Sequence, residues 1–159
     1  MKYLFSVLIV LFFAAPRAFA QPVKVEMKPL QDLYYIGDEK KLEKGVNCFV
    51  LQKRKEYEEF FGKTDRVDTP NFSKEWMLIL VLPSTRKDVK MKFNRVSMKA
   101  GSFIEIYCDL GKLRGGTLTY EHHPLVACTI PQSDNTRLLK FYEEKKNGGL
   151  LMIDEVLLK

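Results

Sequence analysis

The sequence predicts a mainly β protein, an antiparallel β-sandwich or partly open barrel of eight to nine short strands with one short amphipathic helix over 52–62. Three observations carry this expectation. Apolar and polar residues alternate at period two through much of the chain, the pattern of half-buried strands. Turn-forming clusters such as Asp68-Thr69-Pro70-Asn71, Gln132-Ser133-Asp134-Asn135 and Asn147-Gly148 separate these runs. One stretch changes period: Tyr57, Phe60 and Phe61 recur at spacings of three and four among Lys53, Arg54, Lys55, Glu56, Glu58 and Glu59, and Gly62 ends it.

The first twenty residues read as a secretory signal peptide. Lys2 gives a positive start, Tyr3 to Ala15 form an apolar run interrupted by Ser6 alone, and Ala18-Phe19-Ala20 offers a small-x-small cleavage site before Gln21. The apolar run is shorter than the ~20 residues of a membrane span and no second such run follows, so the mature chain is not expected to be an integral membrane protein. Residues 21–159 are then a single β-rich domain, exported to the periplasm or the extracellular space. Losing residues 1–20 removes Lys2 and Arg17 and no acid, which lowers the formal charge of +6 by two. So mild a positive balance does not point to nucleic acid.

The mature chain opens with Val23, Val25 and Met27 alternating with Lys24 and Glu26, a first strand. Residues 29–44 have no clear period and read as an exposed connection. Val46, Cys48 and Val50 share one face of a second strand, which leads into the helix. Trp76 to Leu82 are apolar without interruption, the mark of a strand covered on both faces, and Pro83 ends it. A loop is expected at Ser84 to Lys87. Val89, Met91 and Phe93 then alternate with charged residues, and the phase slips to Val96 and Met98, which calls for a β-bulge near Asn94-Arg95. A turn at Lys99-Ala100-Gly101 places Val96 opposite Ile104.

The strand from Ser102 to Leu110 is expected to turn at residues 111–115 and pair with Gly116 to His123, setting Cys108 opposite Leu118, Ile106 opposite Tyr120 and Ile104 opposite His122. That register also sets Glu105 against Glu121, an unfavourable pair. Leu125 to Ile130 forms a separate strand between Pro124 and Pro131. Arg137 to Glu143 and Gly149 to Leu158 form a last hairpin around Asn147-Gly148.

Cys48, Cys108 and Cys128 lack Cys-x-x-Cys spacing and sit in strand-like runs, so they read as buried small hydrophobes. A straight continuation past Leu118 separates residues 108 and 128 too far for a disulfide, while a pairing of Cys48 stays open. His122-His123 is the first place to look for chemistry, but neighbouring strand residues point to opposite faces and no His-x-His or His-Glu-x-x-His pattern completes a site. His122 is expected as a partly buried, hydrogen-bonded residue and His123 as a surface one. No serine lies in a nucleophile elbow, and neither Gly-Gly pair opens a helix to cradle phosphate. No catalytic set, metal site or cofactor is expected.

Arg86, Lys87, Lys90, Lys92 and Arg95 form the dense basic cluster, and with Tyr107 beside them they read either as a ligand-binding patch or as charges that protect an edge strand.

Residues 46–143 combine the strand Val46 to Leu51, the helix with Glu56, Tyr57, Phe60 and Phe61, the lead Val67-Asp68-Thr69-Pro70-Asn71-Phe72-Ser73-Lys74-Glu75 into an apolar strand, and a late Thr129-Ile130-Pro131. This order resembles the C-terminal domain of PrcB-like proteins, exported modules associated with bacterial surface protease complexes. Pro83-Ser84-Thr85-Arg86 stands where such domains carry a glycine-rich, tyrosine-containing turn. The resemblance implies a non-catalytic domain that binds another protein and modulates or assists a cell-envelope protease. Two alternatives remain: a secreted hydrolase centred on His122 or His123, and a binder of anionic glycan or lipid through the basic strand.

Overall fold

The computed structural model describes residues 21–64, 66–99, 103–111 and 113–158, and the side chains of 113–116 are not among its described features. The predicted leader at 1–20 and the centre of the turn predicted at 99–101 lie outside the described residues.

The chain builds two stacked sheets and a side ribbon. Sheet A holds five strands in the order β1 (Val23–Val25), β6 (Lys92–Lys99), β7 (Phe103–Asp109), β10 (Leu138–Glu144) and β11 (Leu150–Leu157). Sheet B holds β2 (Lys28–Leu30), β9 (Leu125–Pro131), β4 (Glu75–Val81) and β3 (Asn47–Leu51). The ribbon pairs β5 (Thr85–Val89) with β8 (Leu113–His122). The architecture is therefore the expected mainly β, sandwich-like fold, with no closed barrel among the described residues and with more strands than the spacing of turns suggested, because β2 forms largely where an exposed connection was expected and β5 breaks from β6 at Lys90-Met91.

Strand β4 is central because its sequence allows nothing else. Met77 to Val81 have no exposed surface, and the strand is paired on both sides, by β9 and by β3. Its alternating side chains feed two cores. Trp76, Leu78 and Leu80 face sheet A and meet Val96, Ile104, Ile106, Leu139 and Phe141. Met77, Ile79 and Val81 face the other way and are covered by the helix α1 (Arg54–Phe61), through Tyr57, Phe60 and Phe61, and by a strap running from Leu30 to Ile36. Helix α1 forms where the 3.6-residue period predicts it. Glu56 accepts the main-chain N–H of Lys53 at its start, and Gly62, at φ 79°, lets the chain leave it.

The bulge expected near Asn94-Arg95 is present, between Phe93 and Arg95. Val96, however, sits opposite Ile106, and Ile104 faces Met98. The pairing is displaced by two residues, which leaves every apolar side chain on its expected face.

The larger correction concerns β8. It does not pair with β7 as the sequence register required. Both edges of β7 are occupied, antiparallel by β6 and parallel by β10, so the fold is mixed and not wholly antiparallel. Strand β8 instead folds back on β5, whose segment Ser84–Lys87 is largely strand and not loop. Charge explains part of the choice. Glu105 lies with Lys99, at 3.6 Å, and accepts the Tyr107 hydroxyl, at 2.6 Å, while Glu121 lies with Arg86, at 3.4 Å, so the two carboxylates that a β7–β8 hairpin would oppose are each neutralised apart. Past Pro124 the chain enters sheet B, which brings Cys128 into the same inter-sheet core as Cys108 and Cys48. The wide separation expected of residues 108 and 128 does not hold, yet all three thiols are free.

Candidate functional site

The predicted basic patch is divided among three places. Arg86 and Lys87 lie on the ribbon strand β5, Lys90 lies in the link to sheet A, and Lys92 and Arg95 lie on β6. Arg86 is engaged with Glu121. Arg95 and Tyr107 are opposite one another and do come together: the guanidinium carbon stands 3.5 Å from the centroid of the Tyr107 ring, which stacks on Tyr142 at 5.6 Å. Arg95 also donates two hydrogen bonds to Glu144, at 2.7 and 3.1 Å, and Asn94 donates a third, at 2.8 Å. These bonds, Arg95 first, hold the Glu144 carboxyl below the usual carboxylate range against the opposing effect of partial burial. Burial, and then the Glu105 carboxylate, push the Tyr107 phenol up. This cluster is internally neutral, so it locks three strands together and offers no free cation.

The two histidines lie where the ribbon meets the sandwich. His122 Nε2 is 3.2 Å from the Lys87 carbonyl and His123 Nδ1 is 3.1 Å from the Leu82 carbonyl, so each ring nitrogen donates to a main-chain oxygen. Neither ring contacts a carboxylate among these bonds. His123 also packs edge-on against Tyr35, with ring centroids 5.2 Å apart. It is half-buried and more tied to the core than the sequence reading allowed. Among the described residues no group of three or more His, Cys, Asp or Glu gathers as a metal-binding set. The thiols are poor nucleophiles where they lie: burial pushes Cys108 and Cys128 up to about 12 and raises Cys48 as well.

A feature that sequence reasoning missed lies beside the histidines. Tyr34 and Ile36 on the strap are 78% and 64% exposed, and between them Tyr35 is buried. The strap is fixed at several points. Arg66 donates to the Gln31 and Asp32 carbonyls, at 2.7 and 2.6 Å, while its other contacts grip Asp68 at 2.8 and 2.9 Å. The Ile36 N–H donates to the Phe60 carbonyl at the end of α1, at 2.9 Å, and the Tyr35 ring is wedged against Phe60 and His123. Asp32 adopts φ 55°, a left-handed turn that aspartate tolerates. On one side of Tyr34 lies a depression of about 300 Å³ bounded by Asp32, Ile36, Phe61 and Arg66, and on the other a cleft of about 430 Å³ reaching Tyr120, His122 and His123. Tyr120, 61% exposed, stands on the far wall because β8 pairs ten residues against the five of β5 and must bulge between Thr117 and His122. The available signal was the run Leu33-Tyr34-Tyr35-Ile36 inside a segment otherwise read as an exposed connection.

The result is a β-sandwich-like domain with a rigid aromatic strap along one side. Compared with known proteins, the chain matches no family model, no curated protein and no solved structure. The PrcB-like resemblance therefore stands on its quoted residues alone.

Proposed function

We propose that this chain is an exported, non-catalytic β domain that binds another protein, and that the first partner to test is a protease of the cell envelope whose action it modulates or assists. One observation carries the reading: Tyr34 and Ile36 are held out to solvent on a backbone fixed by Arg66 and Phe60. Large side chains that stay exposed on an ordered backbone lose little entropy when a partner covers them, and tyrosine is enriched at the centres of interfaces. Two neighbouring cations are already matched, Arg66 by Asp68 and Arg86 by Glu121, so the partner surface that fits the exposed Tyr34 and Ile36 is mainly apolar. The protease arm of the proposal comes from the PrcB-like order of features and not from the strap.

A photo-crosslinking side chain at position 34 tests this in the native envelope. A single protein species should be captured from position 34 and not from Ser73, which is exposed elsewhere. Capture should disappear when Ile36→Ser and Tyr120→Ser are added with the fold intact. Equal capture from both positions would refute the strap as the binding surface, and a captured partner that is no protease or protease subunit would remove the protease arm.

A further inference from the structure

The end of sheet A at which β7 and β10 finish and β6 and β11 begin gathers two kinds of residue that the strap lacks. The β10–β11 hairpin turns through Lys145 to Gly149, closed by the Gly148 N–H on the Lys145 carbonyl and the Lys145 N–H on the Gly149 carbonyl, both at 2.9 Å. Glu144 pairs with Leu150, Glu143 with Cys108 of β7, and Asp109 with Lys92 of β6. This register sets Lys145 and Lys146 at the same end as Lys92. Lys90 is there too, because its carbonyl lies against Gly111 so closely that a Cβ on Gly111 would collide with it. All four lysines are exposed, and none is in an ion pair among the described residues. The acids at this end are fewer: Glu144 is taken by Arg95, which leaves Glu143 and Asp109, the latter accepting the Gly111 N–H at 2.8 Å, against four lysines.

Beside these lysines, Leu150, Leu151 and Met152 are 53%, 50% and 55% exposed. Consecutive strand residues point to opposite faces and β11 is the edge strand of sheet A, so half-exposure of all three leaves apolar surface open on both faces and along the free edge. A flat protein partner or a second copy laid on the sheet would cover one face only. An aliphatic edge open on both faces, with Lys145 and Lys146 beside it and Lys90 and Lys92 across the same end of the sheet, matches a medium that surrounds it, with an apolar phase beneath an anionic surface.

We propose that this end of sheet A is a peripheral docking surface for an anionic lipid bilayer, with Leu150, Leu151 and Met152 entering the headgroup–acyl boundary and Lys90, Lys92, Lys145 and Lys146 lying against lipid phosphates. The surface shares no residue with the strap or the cavities beside it, so either can fail without the other. It also gives a use to Lys90 and Lys92, which the division of the predicted basic patch leaves unpaired.

Sedimentation with vesicles of phosphatidylcholine containing phosphatidylglycerol, against vesicles of phosphatidylcholine alone, tests the proposal on the protein recovered after export, its N-terminus fixed by intact mass. Partitioning should favour the anionic vesicles and weaken with added salt. Lys145→Gln and Lys146→Gln should each weaken it about fivefold. The combined Leu150→Ser, Leu151→Ser and Met152→Ser variant should weaken it about a hundredfold, since each half-exposed side chain forfeits about half of a full burial. Should that triple variant misfold, the two lysine variants lie in an exposed turn and decide the matter alone. Absence of partitioning into anionic vesicles, or lysine variants that partition like the unaltered protein, would overturn it. A lipid-free dimer that the triple variant dissolves would overturn it in favour of a second copy as the occupant.

Discussion

Strands β4 and β5 are separated only by residues 82–84, yet they lie at opposite extremes of the molecule. Strand β4 is paired on both edges and covered on both faces, and five consecutive residues have no exposed surface. Strand β5 is paired on one edge only, with the bulged β8, and Arg86 and Lys87 are open to solvent. The contrast teaches that stability and candidate function are carried by different strands here. The apolar run 76–81 leaves no side chain free to act on the outside, whereas the ribbon carries the exposed Tyr120 and the strap carries Tyr34 on a backbone pinned by Arg66 and Phe60.

Substitutions in the two regions should separate sharply. Leu80→Ala removes a fully buried side chain between the sheets and should cost about 2–5 kcal/mol in urea unfolding, while Thr117→Ala on the exposed ribbon should stay within about 0.5 kcal/mol. Comparable losses at the two sites would break the comparison.

Thiol chemistry measures the same difference by another route. Cys108 and Cys128, pushed up to about 12 and buried, should alkylate about a thousandfold more slowly in the folded protein than after unfolding, from loss of thiolate alone. A thiol placed by Thr117→Cys should react in the folded state as an exposed one does. Counting on unreduced, unfolded protein should find all three native thiols.

The junction between the regions should show an intermediate effect. His123→Gln disturbs a half-buried contact with the Leu82 carbonyl and the Tyr35 ring, for a loss of about 1 kcal/mol, and His122→Gln, whose bond to Lys87 is exposed, should cost less than about 0.5 kcal/mol. The opposite ranking would mean that the ribbon, and not the core, anchors this corner.

The smallest contrast is electrostatic. Glu144, whose folded-state pKa is lowered, favours folding above its ordinary value of about 4.3, and this contribution is lost as pH falls through the lowered folded value. The stability gap between the native protein and Glu144→Gln should therefore be at most about 1 kcal/mol at neutral pH and vanish in acid. Glu121→Gln, which breaks the looser ribbon pair at 3.4 Å, should show no measurable gap at either pH.

Local signals were legible in proportion to how local their causes are. The all-apolar run found β4, the phase slip at Asn94-Arg95 found the bulge, Asn147-Gly148 found the last hairpin, and the 3.6-residue period found α1. Strand partners were not legible, because alternation fixes which face of β8 is apolar but not which strand lies beside it. The sequentially nearest choice, β7, was already filled by β10, a strand some thirty residues later in the chain. The strap was missed for a related reason. Tyr34 and Ile36 follow no period because they serve no sheet, and Arg66, which pins their backbone, lies far along the chain.

The pairing of strands across the chain also sets the order of assembly. Sheet A joins β1 near residue 24 to β6 and needs β10 beside β7, and sheet B cannot enclose β4 until β9 arrives after residue 125. Neither sheet can close from a partial chain, so nearly the whole polypeptide must be available before the first stable nucleus pays its loop-closure entropy. Folding should be slow beside that of a helical domain of equal length, and a chain emerging end-first from a narrow passage would stay extended until its C-terminal third had cleared it.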